Sequence, residues 1–335
     1  MKVLVTGAAG FIGSHLCRRL RRIGIGVRAL LLPQEPSSGL EAIGVEIFRG
    51  DLLEPRSLEG LTDSIEIVYH LAARVTDWGR PESFRDIIVN GTQNLLERSW
   101  RHCRRFLFVS SIAAYGVGRT MRGFTEETPC VKTGIPYGDS KMEAEERVMG
   151  FHGKGDLGCT IVRPSNVIGP GSVWVRDALD AFRRGPVPLI DAGRHSASLL
   201  AVENLVDGIV LASTNLAASG HCFNFRDSWS VTWKQYLTDL GAMIGKRPGL
   251  SMPFGAAWTM ARIMEAVLRP LGIRPPLTRM AVGIVGRDND VSTEKACRVL
   301  GWRTRLSYET TMQGIRRWVK EQYVAEAGRV PAGSR

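Results

Sequence analysis

The sequence is poor in cysteine and lysine and has no long apolar run. Its six cysteines are scattered over 335 residues, without a CxxC pair or a cysteine–histidine spacing that would hold a metal ion. We therefore expect buried thiols in a reducing, cytoplasmic setting, no disulfide scaffold and no metal site. No segment approaches the ~20 continuous apolar residues of a membrane-spanning helix. The opening residues MKVLVTG reach a glycine too early for a signal peptide.

Arginine carries almost all of the positive charge. The chain has 36 arginines and 8 lysines against 33 acidic residues, which gives a net charge of +11. The densest runs, 18–22 and 101–105, fall at predicted helix ends, where apolar residues keep helical spacing and arginines take the other positions. Aromatic and basic residues do not alternate as they do in proteins that bind single-stranded nucleic acid. We therefore predict solvated helix faces and no nucleic-acid partner.

The first half of the chain alternates short apolar runs with helical patterns, which is typical of a parallel sheet built from βαβ units. Strands are predicted at 3–5, 27–30, 45–48, 65–69, 106–109 and 160–162, and helices near 11–23, 82–100 and 137–149. This rhythm predicts an α/β fold with a doubly wound parallel sheet. We place a first domain at 1–171, to which 199–226 returns, a smaller and mostly helical domain at 172–325, and a loose tail at 326–335.

A glycine-rich turn joins the first strand to the first helix, in the segment VLVTGAAGFIG at 3–13. Gly7 permits the tight turn, Gly10 lets the backbone approach a pyrophosphate, and Gly13 lets the helix pack closely on the sheet. The phosphates then lie at the positive end of the helix. The motif predicts dinucleotide binding by Gly7, Gly10, Phe11, Ile12 and Gly13.

The TGxxGxxG spacing resembles that of the extended short-chain dehydrogenases/reductases, the NAD-dependent epimerase/dehydratase type. Further segments agree: GDL at 50–52, HLAA at 70–73, VSSIAAYG at 109–116 and YGDSK at 137–141. The resemblance covers about residues 1–320 and implies a Rossmann-type cofactor domain followed by a substrate domain. It implies cofactor contacts from Asp51, Leu52, Leu71, Ala72, Ala73, Tyr137 and Lys141, and from Pro164 and Asn166 in the segment 163–171.

The same resemblance implies a catalytic trio of Ser111, Tyr137 and Lys141. Tyr137 and Lys141 are one helical turn apart and share a face. An ammonium group and the oxidised nicotinamide ring would lower the pKa of the Tyr137 phenol, which ordinarily lies near 10. Tyr137 is then the general base for oxidation and the acid for reduction, Lys141 holds the nicotinamide ribose, and Ser111, rather than Ser110, orients the substrate oxygen.

The choice between NAD and NADP stays open in the sequence. An acidic residue after the second strand would bind the ribose 2′-hydroxyl of NAD, and an arginine there would accept the 2′-phosphate of NADP. Leu31 and Leu32 occupy those positions, and Arg28 lies earlier in the strand.

The C-terminal half is similar to the 3β-hydroxysteroid dehydrogenase and C4-sterol-carboxylate dehydrogenase branch, in VTW at 231–233, RPPLTR at 274–279 and STEKA at 292–296 through LGW at 300–302. This implies a hydrophobic substrate, sterol-like or a long-chain 3-ketoacid. An apolar helix predicted at 254–272 is too short and too charged to span a bilayer. Three roles are open to it: packing on its own domain, walling a substrate pocket, or lying on a membrane surface.

Two other functions are weighed against an oxidoreductase. A nucleotide-sugar epimerase uses the same trio with tightly held NAD, and Asn166 favours it, whereas Ile112 and Ala113 stand where a 4,6-dehydratase carries an acidic pair. A nucleotide-sensing or nucleic-acid-binding module without chemistry is supported only by the arginine excess. The family also suggests a homodimer formed through the helices near 90–100 and 137–149.

Overall fold

The computed structural model describes residues 1–327. Its strands are Lys2–Thr6 (β1), Gly26–Leu31 (β2), Glu46–Arg49 (β3), Ile67–His70 (β4), Arg105–Val109 (β5), Met121–Phe124 (β6), Gly158–Pro164 (β7), Asn166–Ile168 (β8), Leu189–Ile190 (β9), Leu199–Ala201 (β10), Cys222–Phe225 (β11), Ser251–Met252 (β12) and Asn289–Val291 (β13). Its α-helices are Phe11–Arg22 (α1), Ser38–Glu41 (α2), Pro81–Arg85 (α3), Gly91–Ser99 (α4), Pro136–Phe151 (α5), Val173–Arg184 (α6), Val202–Thr214 (α7), Trp233–Ala242 (α8), Phe254–Leu268 (α9), Arg279–Val285 (α10), Glu294–Leu300 (α11), Tyr308–Trp318 (α12) and Val324–Ala327 (α13).

Seven parallel strands form one sheet in the order β11-β7-β5-β4-β1-β2-β3. The order reverses between β1 and β4, so the helices that follow these two strands pack on opposite faces. At such a reversal a crevice opens outside the carboxyl ends of the two strands, and doubly wound sheets bind their ligands there. The predicted fold class is confirmed, and β11 lies at one edge of the sheet beside β7. The domain division at 171 stays a prediction.

Apolar side chains fill both faces of this sheet. On one face, α1, α7 and α11 pack over alternate residues of β1, β2 and β11, among them Val3, Val5 and Phe223. On the other face, α4 and α5 cover Leu4, Val68 and their neighbours. Burial on both faces explains why these strands read as continuous apolar runs in the sequence.

The C-terminal half has a separate apolar cluster. It forms where α6, α8 and α12 meet around large aromatic side chains, including Trp233, Tyr236 and Trp318. Two short parallel pairs, β8 with β10 and β6 with β13, join this half to the loops of the first, and a third, β9 with β12, lies within it. Within residues 1–327 no helix is long and apolar enough to cross a membrane.

The structure corrects three local expectations. The helix predicted at 82–100 is divided into α3 and α4 by a π-helical turn at Asp86–Asn90. The thiols were all expected to be buried, but Cys130, Cys222 and Cys297 are only half-buried. The expected loose tail, 326–335, begins inside α13, and its residues 328–335 lie outside the described part of the chain.

Candidate active site

The glycine-rich turn brings the start of α1 against the end of β4. Gly7 has a φ of 65°, and a Cβ there would meet the Ala72 backbone nitrogen at 2.8 Å. A Cβ on Gly13 would lie 2.1 Å from the Gly7 carbonyl oxygen. No side chain caps α1 at Gly10, so the first backbone N–H groups of the helix are left to face a ligand. The turn is thus shaped for a phosphate group.

A buried hydrogen-bond chain fixes the strand ends beside this turn. The Thr92 hydroxyl donates to the Ile88 carbonyl, so it accepts from His70 Nε2 at 2.9 Å. His70 Nδ1 then accepts from the Thr6 hydroxyl at 2.7 Å, and Thr6 Oγ1 accepts from the N–H groups of Leu71 and Ala72. Burial lowers the pKa of His70 to about 3, which keeps this imidazole neutral, as the chain requires.

The other predicted cofactor residues lie along the same edge. Asp51 follows β3 and is half-buried, and its carboxylate accepts from the Leu53 N–H at 2.9 Å. Leu52 is buried. Leu71, Ala72 and Ala73 follow β4 directly and are half-buried. Thr6, His70 and Thr92, which hold this edge together, had no role assigned from sequence, because their contacts join residues far apart in the chain.

Ser111, Tyr137 and Lys141 meet at the end of β5. Ser111 caps the short 3₁₀ turn Ile112–Tyr115 by accepting from the Ala113 N–H, and its hydroxyl is near enough to Tyr137 to affect the pKa of the phenol. Lys141 is buried in α5, donates from Nζ to the Val109 carbonyl at 2.7 Å, and lies over the Phe108 ring at 4.6 Å. The structure therefore gathers the three predicted catalytic side chains at one place.

Burial dominates the ionisation of this trio. It lowers the pKa of Lys141 to about 7, against the opposing charge of Glu145. It also raises the pKa of Tyr137 to about 12, although the nearby Ser111 hydroxyl opposes the rise. The expected lowering of the Tyr137 pKa is thus wrong for the chain alone, because desolvation outweighs the neighbouring groups. At neutral pH the phenol holds its proton and is ready to donate it.

Two buried hydroxyls at this edge have no hydrogen-bond partner in the part of the chain that the structure describes. Ser110 follows β5 and Ser165 follows β7, and neither Oγ atom finds a hydrogen-bond partner within residues 1–327. Buried polar groups are rarely left unsatisfied. The two hydroxyls without partners fit a dinucleotide that lies across the strand ends. So does the glycine turn, where an added Cβ would fill the space that a phosphate needs.

The segment after β7 is held mainly by structural contacts. Pro164 ends β7 and is buried. Asn166 starts β8, and its side-chain amide donates to the Ala197 carbonyl at 2.7 Å. That bond ties the start of β8 to the residues just before its partner strand β10. A cofactor contact from either residue stays a prediction.

A carboxylate missed in the sequence lies at the end of β2. Glu35 folds back so that its Oε2 accepts from the Leu32 N–H at 2.9 Å. The Arg49 guanidinium is held by the same loop, donating to the Leu32 and Glu35 carbonyls and to Ser37. Arg28 pairs instead with Glu46 and with carbonyls of 60–63. Glu35 lies 22 residues after Gly13, a separation near the ~20 residues typical of a ribose-binding acid.

A concavity of about 500 Å³ lies elsewhere, between α5, β7 and β11. It is lined by carboxylates such as Glu145 and Glu146 and by Arg163, which pairs with Glu145. None of Ser111, Tyr137 and Lys141 lines it. The candidate chemistry is therefore at the strand ends and not in this cavity.

Comparison with known proteins agrees with this geometry. The model of the NAD dependent epimerase/dehydratase family matches residues 3–225, which hold the glycine turn and the trio. A ketoreductase of Stigmatella aurantiaca acting on 4-hydroxy-2-methyl-3-oxo-4-farnesyl-3,4-dihydroquinoline-1-oxide is 28% identical, and the match covers 94% of this chain and 96% of the relative. A 3 beta-hydroxysteroid dehydrogenase/Delta 5-->4-isomerase of Mycobacterium tuberculosis is 29% identical, with 94% and 88% covered.

A solved structure shares the architecture. MoeE5, in complex with UDP-glucuronic acid and NAD, has a TM-score of 0.74 and 25% identity over 96% of this chain and 99% of its own. The predicted resemblance to the extended short-chain dehydrogenases/reductases, and to their hydroxysteroid dehydrogenase branch, is confirmed.

Proposed function

The chain belongs to the NAD dependent epimerase/dehydratase family, and we propose that it is an oxidoreductase. The proposed reaction interconverts a ketone and a secondary alcohol on a hydrophobic substrate. Members of the family include dehydrogenases and epimerases. The observation that carries this proposal is the meeting of Ser111, Tyr137 and Lys141 beside the glycine turn. When bound, the nicotinamide cofactor supplies or accepts the hydride.

The side chains divide the remaining work. In the direction of reduction, the Ser111 hydroxyl orients the carbonyl oxygen and the protonated Tyr137 phenol donates a proton to it. The pKa of about 12 keeps that proton in place until the oxygen gains charge. When protonated, Lys141 has three N–H donors, of which the Val109 carbonyl takes one. The others serve the nicotinamide ribose and the phenolate formed after proton transfer.

A hydrophobic substrate is supported by two observations. The two relatives described above match nearly the whole chain, and their names refer to a farnesylated quinoline and to a steroid. In addition, α10 brings apolar side chains to the catalytic half, since Met280 and Ile284 pack on the cluster that contains Tyr137. We propose sterol-like alcohols and long-chain 3-ketoacids as the substrate class.

We propose NAD rather than NADP as the cofactor, because the carboxylate of Glu35 lies at the end of β2 and would repel a 2′-phosphate. Arg49 is near but already donates to two carbonyls and a hydroxyl. Glu35→Gln should improve kcat/KM with NADPH about tenfold relative to NADH. Glu41→Gln, on the nearby short helix α2, is the matched control. A wild-type preference for NADPH would contradict the assignment.

Tyr137→Phe tests the chemistry. The variant keeps the ring but lacks the proton donor, so kcat should fall at least about a thousandfold, while NADH binding measured by fluorescence changes little. Tyr236→Phe is the control, since its hydroxyl is buried far along the chain in the C-terminal cluster. Turnover retained by Tyr137→Phe would exclude the proposed acid.

A nucleotide-sugar epimerase is the second candidate, favoured by the likeness to MoeE5. An epimerase returns the hydride to its substrate, so the cofactor shows no net change. Incubation with UDP-glucose or UDP-glucuronic acid should yield no epimer if the chain is the oxidoreductase proposed here. Epimer formed without net cofactor oxidation, together with no activity on sterols or 3-ketoacids, would favour the epimerase.

A further inference from the structure

The outward face of α9 and of the loop after it is apolar. Fifteen large apolar side chains are exposed within residues 1–327, and five of them lie between 260 and 273. They are Met260, Ile263, Val267, Leu271 and Ile273, exposed by 38%, 59%, 59%, 66% and 51%, and we name them the apolar face. Isolated exposed apolar residues are ordinary, but a contiguous group marks an interaction surface.

The inner side of α9 carries its one acidic residue. Ala257 and Ala261 are fully buried, and Glu265 is buried one turn further on. Glu265 accepts from the Arg279 backbone and side chain at 2.7 Å and also lies near Arg269. The buried alanines pack with Ile190 and Val282, as the inner residues of a surface helix ordinarily do. What is unusual in α9 is that large apolar side chains also occupy its outer side. Fold stability does not explain five apolar side chains on the outside.

The surroundings of the apolar face are basic. Between 253 and 287 the sequence has five arginines and one acidic residue, the buried Glu265. Arg262 is exposed beside Ile263, and Arg274, exposed beside Ile273, is paired with Asp77. An apolar helix face bordered by arginines matches a bilayer with anionic headgroups, where the side chains enter the acyl boundary and the cations meet phosphates.

The apolar face lies close to the catalytic edge. Arg274 and Thr278 donate to Asp77, which is in the loop after β4, at 2.8 and 2.9 Å. Trp258 of α9 packs against Gly118, seven residues beyond Ser111. A surface seated on this face would thus sit next to the loops that frame the proposed site.

We propose that the apolar face docks the protein on the surface of an anionic lipid bilayer. The helix lies in the interface without crossing it. That the bilayer also delivers the apolar substrate rests on the function proposed above, whereas docking itself needs neither substrate nor cofactor.

Vesicle sedimentation tests the docking. The full chain, without substrate or cofactor, should bind vesicles of phosphatidylcholine mixed with phosphatidylglycerol, bind pure phosphatidylcholine weakly, and lose affinity as salt is raised. Ile263→Asp with Val267→Asp should weaken binding at least about tenfold. Arg262→Gln should weaken it about fivefold. The neutral pair Ile263→Ser and Val267→Ser repeats the test without adding charge.

The matched control is Leu216→Asp with Leu250→Asp, which changes the charge equally at side chains 80% and 90% exposed elsewhere. This control should bind vesicles like the unaltered chain. Equal weakening by control and test pairs would overturn the proposal. So would a chain that ignores anionic vesicles and forms a dimer, by sedimentation velocity, that the Ile263 and Val267 variants dissociate, since a second copy would then cover the face. Vesicle binding by a chain inactive on every ketone would refute only the proposed function.

Discussion

Helices α1 and α9 are of similar length and both bury apolar residues, but they expose different kinds of side chain. In α1, Leu16, Cys17 and Leu20 are buried and Arg18 and Arg22 point to solvent. In α9 Glu265 is inside, and Ile263 and Val267 are outside. The first pattern follows from packing a helix on a sheet. The exposed apolar residues of α9 do not serve the core, which indicates that something other than folding selects them.

The two helices also differ in how much space surrounds their glycines. A Cβ added to Gly13 in α1 would collide with the backbone of the turn, whereas a Cβ added to Gly255 in α9 would meet nothing within 4 Å. Gly13→Ala should destabilise the fold by about 3 kcal/mol or more, because a backbone carbonyl cannot move aside, and should abolish NADH binding. Gly255→Ala should be neutral or slightly stabilising. Urea unfolding measures the stability of both variants, and cofactor titration measures their NADH binding. A Gly13→Ala variant that folds stably and binds NADH would refute the phosphate-binding role of the turn.

Truncating matched apolar side chains sharpens the comparison further. Leu16→Ala removes a fully buried group from α1 and should cost about 3 kcal/mol of unfolding free energy. Ile263→Ala removes an exposed group from α9, and its effect should stay within about 0.5 kcal/mol. A large loss of stability in Ile263→Ala would show that the apolar face is part of the core after all.

Ion pairs give the smallest expected contrast. Glu265→Gln in α9 should cost about 2 kcal/mol, because its charged hydrogen bonds to Arg279 are buried. Asp207→Asn weakens the partly exposed pair with Arg19 of α1 and should cost under about 1 kcal/mol. Equal costs in urea unfolding would contradict the view that the buried Glu265 of α9 stabilises the fold.

The cofactor half could be predicted closely from the sequence. Its signals are local: the turn at 7–13 needs glycine for backbone reasons, and strands buried on both faces read as apolar runs. Thus β1, β2, β5 and β7 fall where they were expected, and Tyr137 and Lys141 share one helix. Fixed spacing within one element fixes relative position.

What escaped prediction depends on contacts between distant residues. Glu35 reaches the end of β2 only because its loop folds back onto Arg49. The bonds among Thr6, His70 and Thr92 join three separate elements. A lowered pKa of Tyr137 was predicted from the Lys141 ammonium and the oxidised nicotinamide ring, whereas burial by the whole fold raises it in the chain alone.

Hydride transfer from NADH deuterated at nicotinamide C4 tests the central claim most directly. Each stereospecifically labelled form is incubated with the chain and a long-chain 3-ketoacid or a 3-ketosteroid, and the products are analysed by mass spectrometry and NMR. The account predicts that one of the two forms places deuterium on the carbinol carbon, with one NAD⁺ formed per alcohol, and that Tyr137→Phe places none. Deuterium that stays on the cofactor with every ketone, while cofactor binding is intact, would contradict the account.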